Sequence, residues 1–81
     1  MRITVRFFAI LKDHAGTDQT VLDLTPGSTV EHAIQTIKGC HPAIAKDLNR
    51  AAFAVNRSYV KAQAILKDGD ELALIPPVSG G

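Results

Sequence analysis

The stretch PGSTVEHAIQTIKGCHP, residues 26–42, decides the fold of this 81-residue chain. A proline–glycine pair interrupts the β-rich run before it, and Ser28 and Glu31 have capping-box spacing, in which the Ser28 hydroxyl accepts the Glu31 N–H and Glu31 reaches back. Apolar residues then follow at helical spacing and form one stripe, at Val30, Ala33, Ile34 and Ile37. The stretch predicts one amphipathic helix that begins at the Ser28 cap, stops near its closing glycine and proline, and packs one face on a sheet.

Two strands are predicted before this helix. Apolar residues alternate with polar ones in the first, at Ile3, Val5 and Phe7. The same alternation places Phe8 on the outward face. After a turn at residues 16–18, a second run at 20–24 predicts a strand that packs Val21 together with Leu22 or Leu24. The two strands are expected to form a hairpin.

The remaining elements follow the helix. Residues 42–50 predict one helical turn and irregular chain, because breakers flank a short segment. Short strands are predicted at 52–56 and 59–61, and a turn at 67–70 leads into a last strand at 71–75. The order β-β-α-β-(β)-β, with one main helix on a mixed sheet, predicts an α+β fold of the β-grasp, or ubiquitin-like, type. In that architecture the first and last strands are neighbours.

The chain divides into a domain at residues 1–75 and a protruding tail at 76–81. Pro76 and Pro77 fix φ and lack N–H groups, which discourages the strand from continuing and stiffens the base of the tail. Gly80 and Gly81 have no Cβ, so they fit a narrow channel and can present a bare carboxylate. The extended tail spans roughly 20 Å. A frayed terminus is the alternative interpretation.

Composition excludes several classes of function. The fraction of hydrophobic residues, 46%, suffices for one core, and the net charge of +1 comes from scattered Lys and Arg, so nucleic acid is not an expected partner. The single Cys40 excludes an internal disulfide and fits a reducing compartment, here the cytoplasm. Neither a signal peptide nor a membrane span is expected.

No catalytic or metal-binding set is evident in the sequence. Ser79 has no base beside it, so it is interpreted as a small polar tail residue. Cys40 and His41 lack the further ligands that a zinc site needs, and His14 and His32 have no recognisable ligand partners. No bound metal or cofactor is therefore expected, and function is expected at the main-chain terminus.

Four stretches carry a resemblance that runs the whole length of the chain: VRFFA at 5–9, AVN at 54–56, KDGDEL at 67–72 and IPPVSGG at 75–81. The chain resembles the small subunits of molybdopterin synthase, which are ubiquitin-like sulfur carriers. The Pro-Pro-Val before Ser-Gly-Gly is the specific feature, whereas a Gly-Gly end is shared across the superfamily. Ile75 departs from the pattern, since a bulkier aromatic residue often stands there.

The resemblance implies a chemistry centred on Gly81. An ATP-dependent adenylyltransferase, similar to ubiquitin-activating enzymes, would join AMP to its carboxylate. A sulfur donor such as a cysteine desulfurase or rhodanese would then convert it to a thiocarboxylate, a C-terminal 1-thioglycine. The tail would enter the large synthase subunit and deliver sulfur to cyclic pyranopterin monophosphate for dithiolene formation. The tail residues that would thread into that subunit are Pro76, Pro77, Val78, Ser79 and Gly80. The family assembly is a heterotetramer, and the catalytic residues are expected on the large subunit.

A partner interface is predicted at the root of the tail, from Phe8, Tyr59 and Ile75. Phe8 and Ile75 lie side by side if the terminal strands are neighbours, and an apolar patch there would dock a partner. Isolated exposed apolar residues are also normal, which is the alternative.

Three other functions stay open from the sequence. One is a sulfur carrier of thiamine synthesis or of another pathway. Another is a protein modifier that forms isopeptide bonds through Gly81, and the last is an interaction module with an inert tail. Stable higher-mass protein adducts would distinguish the modifier from the carrier.

Overall fold

The computed structural model describes residues 1–77, which form five strands, three α-helices and one 3₁₀ turn. In chain order these are β1 (Arg2–Phe7), α1 (Ala9–Ala15), β2 (Gln19–Asp23), α2 (Val30–Cys40), the 3₁₀ turn (Pro42–Ile44), α3 (Ala45–Leu48), β3 (Ala52–Val55), β4 (Ser58–Val60) and β5 (Glu71–Ile75). Val78, Ser79, Gly80 and Gly81 lie outside the described residues.

The strands form one mixed sheet in the order β2-β1-β5-β3-β4. The first and last strands, β1 and β5, are parallel neighbours at its centre, as predicted, and all other pairs are antiparallel. The longest helix, α2, contributes its predicted stripe to the core: Val30, Ala33, Ile34 and Ile37. This mixed sheet with a main helix confirms the predicted β-grasp fold.

The cap of α2 lies one residue beyond the predicted position. Thr29 is the N-cap: its hydroxyl accepts the His32 N–H at 3.3 Å, and its own N–H donates to His32 Nδ1 at 3.2 Å. Ser28 instead donates its hydroxyl to the Thr25 carbonyl at 2.7 Å, inside the turn before the helix. The prediction of Ser28 and Glu31 was therefore wrong, because the preceding turn already uses the Ser28 hydroxyl.

The second strand faces the core differently from the prediction. Leu22 pairs with Ile3 and is buried with it, whereas Val21 pairs with Thr4 on the other face and is 52% exposed. The prediction that Val21 packs was wrong. Val21 and Leu22 are adjacent apolar residues, so the sequence alone allows either to face the core. The register with β1 decides which side chain points inward.

A helix that the sequence did not predict, α1, connects β1 to β2. Phe8 is its N-cap residue, Ala9 turns the chain with φ of 51°, and Gly16 ends the helix in the left-handed region with φ of 76°, donating its N–H to the Lys12 carbonyl. Only Leu11 is fully buried from this helix. The predicted hairpin therefore keeps its antiparallel pairing but contains a helical connection.

The segment at residues 42–50 is more helical than predicted. The 3₁₀ turn runs directly into α3, so the prediction of one turn and irregular chain was wrong in extent. Ile44 and Leu48, four residues apart, are both buried and join the core. The burial of this apolar pair holds the segment against α1 and α2 despite the breakers around it.

Candidate functional site

The centre of the candidate site is the end of β5. β1 and β5 are parallel, and Phe7 pairs with Leu74. Phe8 and Ile75 therefore leave the sheet at the same end of these two central strands. The tail therefore begins next to Phe8. Leu74 and Phe7 are buried in the core and anchor this end of the two strands.

Beside this end of β1 and β5, on the face of the sheet opposite α2, lies an apolar cleft of about 360 Å³, here called the outer cleft. The side chains at its floor are small: they are those of Ala54 and Ala73, which pair with each other on β3 and β5. Phe8, Tyr59 and Ile75 form its apolar wall, and Arg57 completes the lining. The cleft exists because alanines stand between larger side chains on neighbouring strands.

The three residues predicted as a partner interface are thus brought together by the structure. Phe8 is 40% exposed and Tyr59 is 75% exposed. Tyr59 reaches the cleft because β4 pairs with β3, which places Tyr59 opposite Ala54. Their role in binding a partner stays a prediction. The sequence missed Ala54, Ala73 and Arg57; outward-facing alanines on adjacent strands were the available signal.

Cationic groups border the outer cleft. The guanidinium carbon of Arg6 lies 5.6 Å from the centre of the Phe8 ring, within the range of a cation–π contact. Arg6 Nε is buried with no hydrogen-bond partner in the described chain. The Arg6 guanidinium therefore lies over the Phe8 ring, next to the outer cleft.

The β3–β4 turn that carries Arg57 is held by a side-chain network. Asn56 and Arg57 both have positive φ, 50° and 72°. Asn56 Nδ2 donates to Asp70 Oδ1 at 2.9 Å, and Asn56 Oδ1 accepts the Glu71 N–H at 3.0 Å. Asn is well suited to the left-handed region. The network ties one wall of the outer cleft to the beginning of β5.

Pro76 and Pro77 are the last described residues of the tail. They follow β5 directly, which ends at Ile75, and Pro77 is exposed. The predicted threading residues Val78, Ser79 and Gly80, and the predicted carrier Gly81, lie beyond the described residues. Their roles stay predictions.

The other candidate residues have structural contacts. His14 Nδ1 is 2.9 Å from Asp47 Oδ2, His32 caps α2, and the His41 ring packs edge-on against Phe7 with centroids 5.5 Å apart. Cys40 is an exposed free thiol. Among residues 1–77, His, Cys, Asp and Glu form no group of three or more suited to a metal ion.

No helix within the described part of the chain is long and apolar enough to cross a membrane.

Comparisons with known proteins find relatives along the whole chain. The model of the ThiS family matches residues 5–81. The molybdopterin synthase sulfur carrier subunit of Chlamydomonas reinhardtii is 40% identical over 83 residues, covering 100% of both chains.

Two solved structures are also similar. The small archaeal modifier protein 1 of Haloferax volcanii superposes with a TM-score of 0.89 at 27% identity, covering 95% of this chain and 98% of that one. A chain in the complex of subunits 1 and 2 of the molybdopterin-converting factor from Helicobacter pylori gives a TM-score of 0.73 at 26% identity, covering 100% of both.

Proposed function

The chain belongs to the ThiS family, and we propose that it is the sulfur carrier subunit of a molybdopterin synthase. The observation that carries the proposal is the end-to-end similarity, at 40% identity, to a protein of that name. The outer cleft supports it, because an apolar cleft that could dock a partner lies where the tail begins. The protein holds no cofactor of its own and is modified at Gly81.

The chemistry takes place on the C-terminal carboxylate. A carboxylate is a poor electrophile, so the activating enzyme joins it to the α-phosphate of ATP and releases pyrophosphate. Hydrosulfide, or a sulfur donor that supplies its equivalent, then attacks the acyl carbon of the adenylate. A C–S bond forms, the C–O bond to AMP breaks, and Gly81 carries a thiocarboxylate, 1-thioglycine. A cysteine desulfurase or rhodanese carries sulfur as a persulfide, whose outer sulfur attacks the acyl carbon in the same way; a thiol then cleaves the resulting acyl disulfide, which leaves the thiocarboxylate and a new disulfide.

Delivery requires the tail to enter the large subunit, where cyclic pyranopterin monophosphate accepts the sulfur. Glycine at positions 80 and 81 permits a narrow channel. Ordering a six-residue tail costs about 6 to 12 kcal/mol at roughly 1 to 2 per residue, less where proline restricts it. Docking of the outer cleft offsets this cost. The solved complex of subunits 1 and 2 from Helicobacter pylori supports a partner of this kind.

The proposed assembly is a heterotetramer with one small subunit at each end of a pair of large subunits. The small subunit itself supplies no catalytic side chain. Its single cysteine, an exposed free thiol, favours the reducing cytoplasm as its compartment.

The test is the intact mass of the chain after incubation with its activating enzyme, ATP and a sulfide donor. We expect an ATP-dependent gain of about 16 Da, from exchange of oxygen for sulfur, that fragmentation locates at Gly81. Fragmentation is essential because oxidation of Met1 or Cys40 adds nearly the same mass. No gain with a demonstrably active enzyme set would contradict the proposal.

The second candidate is a protein modifier, favoured by the similarity to the small archaeal modifier protein 1. The same activated Gly81 would then form an isopeptide bond with a lysine of another protein. Stable, ATP-dependent higher-mass adducts on immunoblots would support it. A sulfurated pterin product without adducts supports the carrier alone.

A further inference from the structure

A second cleft, of about 480 Å³, flanks the root of the tail and is here called the tail-root cleft. It is distinct from the outer cleft: the two have no lining residue in common. Apolar and charged groups from α1, α3 and the tail line it: Ile10, Lys46, Asp47, Arg50, Pro76 and Pro77. Ile10 is 48% exposed there, so an apolar surface and the two prolines are open beside the charges.

The charge of this cleft is positive. No carboxylate of residues 1–77 lies within 4 Å of the Lys46 or Arg50 charged groups. The lining has one acidic residue, Asp47, whose Oδ2 lies 2.9 Å from His14 Nδ1, so the two cations of the lining outnumber its one carboxylate. A third cation stands close by, since Lys38 Nζ donates to Asn49 Oδ1 at 2.9 Å, and Asn49 also lines the cleft. Lys46 and Arg50, which have no carboxylate partner among residues 1–77, thus line the space next to the prolines.

We propose that the tail-root cleft binds an acidic segment of the large subunit that receives the tail. This inference rests on the proposed function. A subunit that encloses the tail must approach Pro76 and Pro77, and these prolines line this cleft. Opposite charge on the partner would steer the encounter and fix its orientation, while Ile10 and the prolines supply apolar contact.

A polypeptide fits the cleft better than a nucleic acid or a free phosphate. The cations form no stripe, and the net charge of the whole chain is only +1. The lining combines exposed apolar groups with flanking cations, which is the composition of a protein interface with a polar rim. The two clefts therefore make different contributions to binding. The outer cleft supplies mainly apolar contact, and the tail-root cleft favours a partner segment of opposite charge.

Charge reversal tests the contribution of the tail-root cleft in the full-length chain. The double variant Lys46→Glu/Arg50→Glu is titrated against the large subunit at low salt, and the association rate and affinity are measured. The matched control is Arg2→Glu/Lys67→Glu, which changes the net charge equally, outside both clefts and at the end of the sheet where Arg2 meets the turn before β5. Lys67 precedes β5 at the end of the sheet opposite the tail. The neutral variant Lys46→Gln/Arg50→Gln guards against misfolding of the reversed chain.

We expect reversal to slow association about tenfold, with a smaller loss for the neutral variant and little change for the control. The difference should shrink as salt is raised to 0.5 M. Wild-type rates for both Lys46/Arg50 variants, or equal slowing by the control, would overturn the inference and leave the carrier function standing.

Two further outcomes also decide it. Loss of adenylation by the activating enzyme with unchanged binding to the large subunit would assign the cleft to the activator and overturn the inference. If the wild-type chain itself neither binds the large subunit nor gains sulfur at Gly81, both the inference and the proposed function fail.

Discussion

At its beginning β5 follows a turn held by several side chains, whereas at its end it runs into two prolines that donate no hydrogen bond. Asp68 Oδ1 accepts the Arg2 N–H at 2.7 Å, and Asp70 Oδ1 accepts from Asn56 at 2.9 Å. The Thr4 N–H also donates to the Asp70 carbonyl at 3.0 Å. The turn thereby connects β5 to both of its neighbouring strands.

The difference separates stability from chemistry. The contacts of the turn end support the register of β5, and that register places Ile75 beside Phe8 at the other end of the strand. At the tail end, Pro76 and Pro77 have no backbone N–H to donate, so we expect changes after Ile75 to affect access and reactivity more than folding. A change at either end should therefore affect one property and spare the other.

The largest effect is expected at the tail end. Deletion of Gly81, or addition of one residue after it, should abolish sulfur delivery, because the activated carboxylate is lost or displaced. The thermal unfolding midpoint should stay unchanged, since no core residue is touched. Thiocarboxylate is measured by intact mass and unfolding by circular dichroism. A chain that is extended, shown to be unprocessed, and still delivers sulfur would contradict the mechanism.

Between the two ends, Leu72→Ala should lower the free energy of unfolding by about 2 to 5 kcal/mol. Leu72 is completely buried on the central strand β5, so truncation removes core packing between the two ends of the strand and leaves a cavity. Urea unfolding measures the loss. The control is Val21→Ala on the exposed face of β2, for which we expect about 0.5 kcal/mol or less. Similar values for the two variants would contradict the assigned core.

At the root of the tail, Phe8→Ala and Ile75→Ala should each weaken binding to the large subunit by about 1 to 2 kcal/mol, or roughly 5- to 30-fold. Both side chains line the outer cleft, and Phe8 is already partly exposed, so unfolding should change little. Calorimetric titration measures the affinity. Val21→Ala is again the control, as an exposed apolar residue outside the cleft. Unchanged affinity for both variants would refute the outer cleft as the docking surface.

The smallest effect is expected at the turn end. Asp70→Ala should lower the free energy of unfolding by about 1 kcal/mol, because it removes the acceptors for the Lys67 N–H and the Asn56 amide at an exposed position. Asp70→Asn should recover part of the loss, since one side-chain oxygen remains. Sulfur loading of Gly81 should be unaffected at 20 °C. Impaired loading in a folded Asp70→Ala chain would break the separation between the two ends.

Much of the fold was predictable because its patterns are local. The α2 stripe, the alternation in β1 and the breaker before β5 each depend on neighbours in sequence. The cap of α2 was misplaced by one residue, since Ser28 and Thr29 are both good caps and only the bonded turn at Thr25 distinguishes them. Helix α1 gave no signal, because a seven-residue helix with one fully buried side chain, Leu11, shows no period.

The candidate site was predictable only in part. Phe8 and Ile75 could be paired from the rule that terminal strands are neighbours, and Tyr59 was one of the exposed aromatic candidates. The floor of the outer cleft could not be predicted, because Ala54 and Ala73 are about twenty residues apart and meet through the β3–β5 register. The cations of the tail-root cleft were counted in the sequence as scattered charge.

The sequence by itself determined a small one-core domain, its main helix, the succession of strands along the chain and the glycines at positions 80 and 81, because composition, periodicity and chain breakers act within a few residues. Only the tertiary structure decided which faces and clefts surround the tail. The parallel register of β1 and β5 places Phe8 at the tail root, and packing of α1 against the 3₁₀ turn that leads into α3 gathers Ile10, Lys46 and Arg50 at the tail-root cleft. Such positions depend on contacts between distant segments, which no local pattern records.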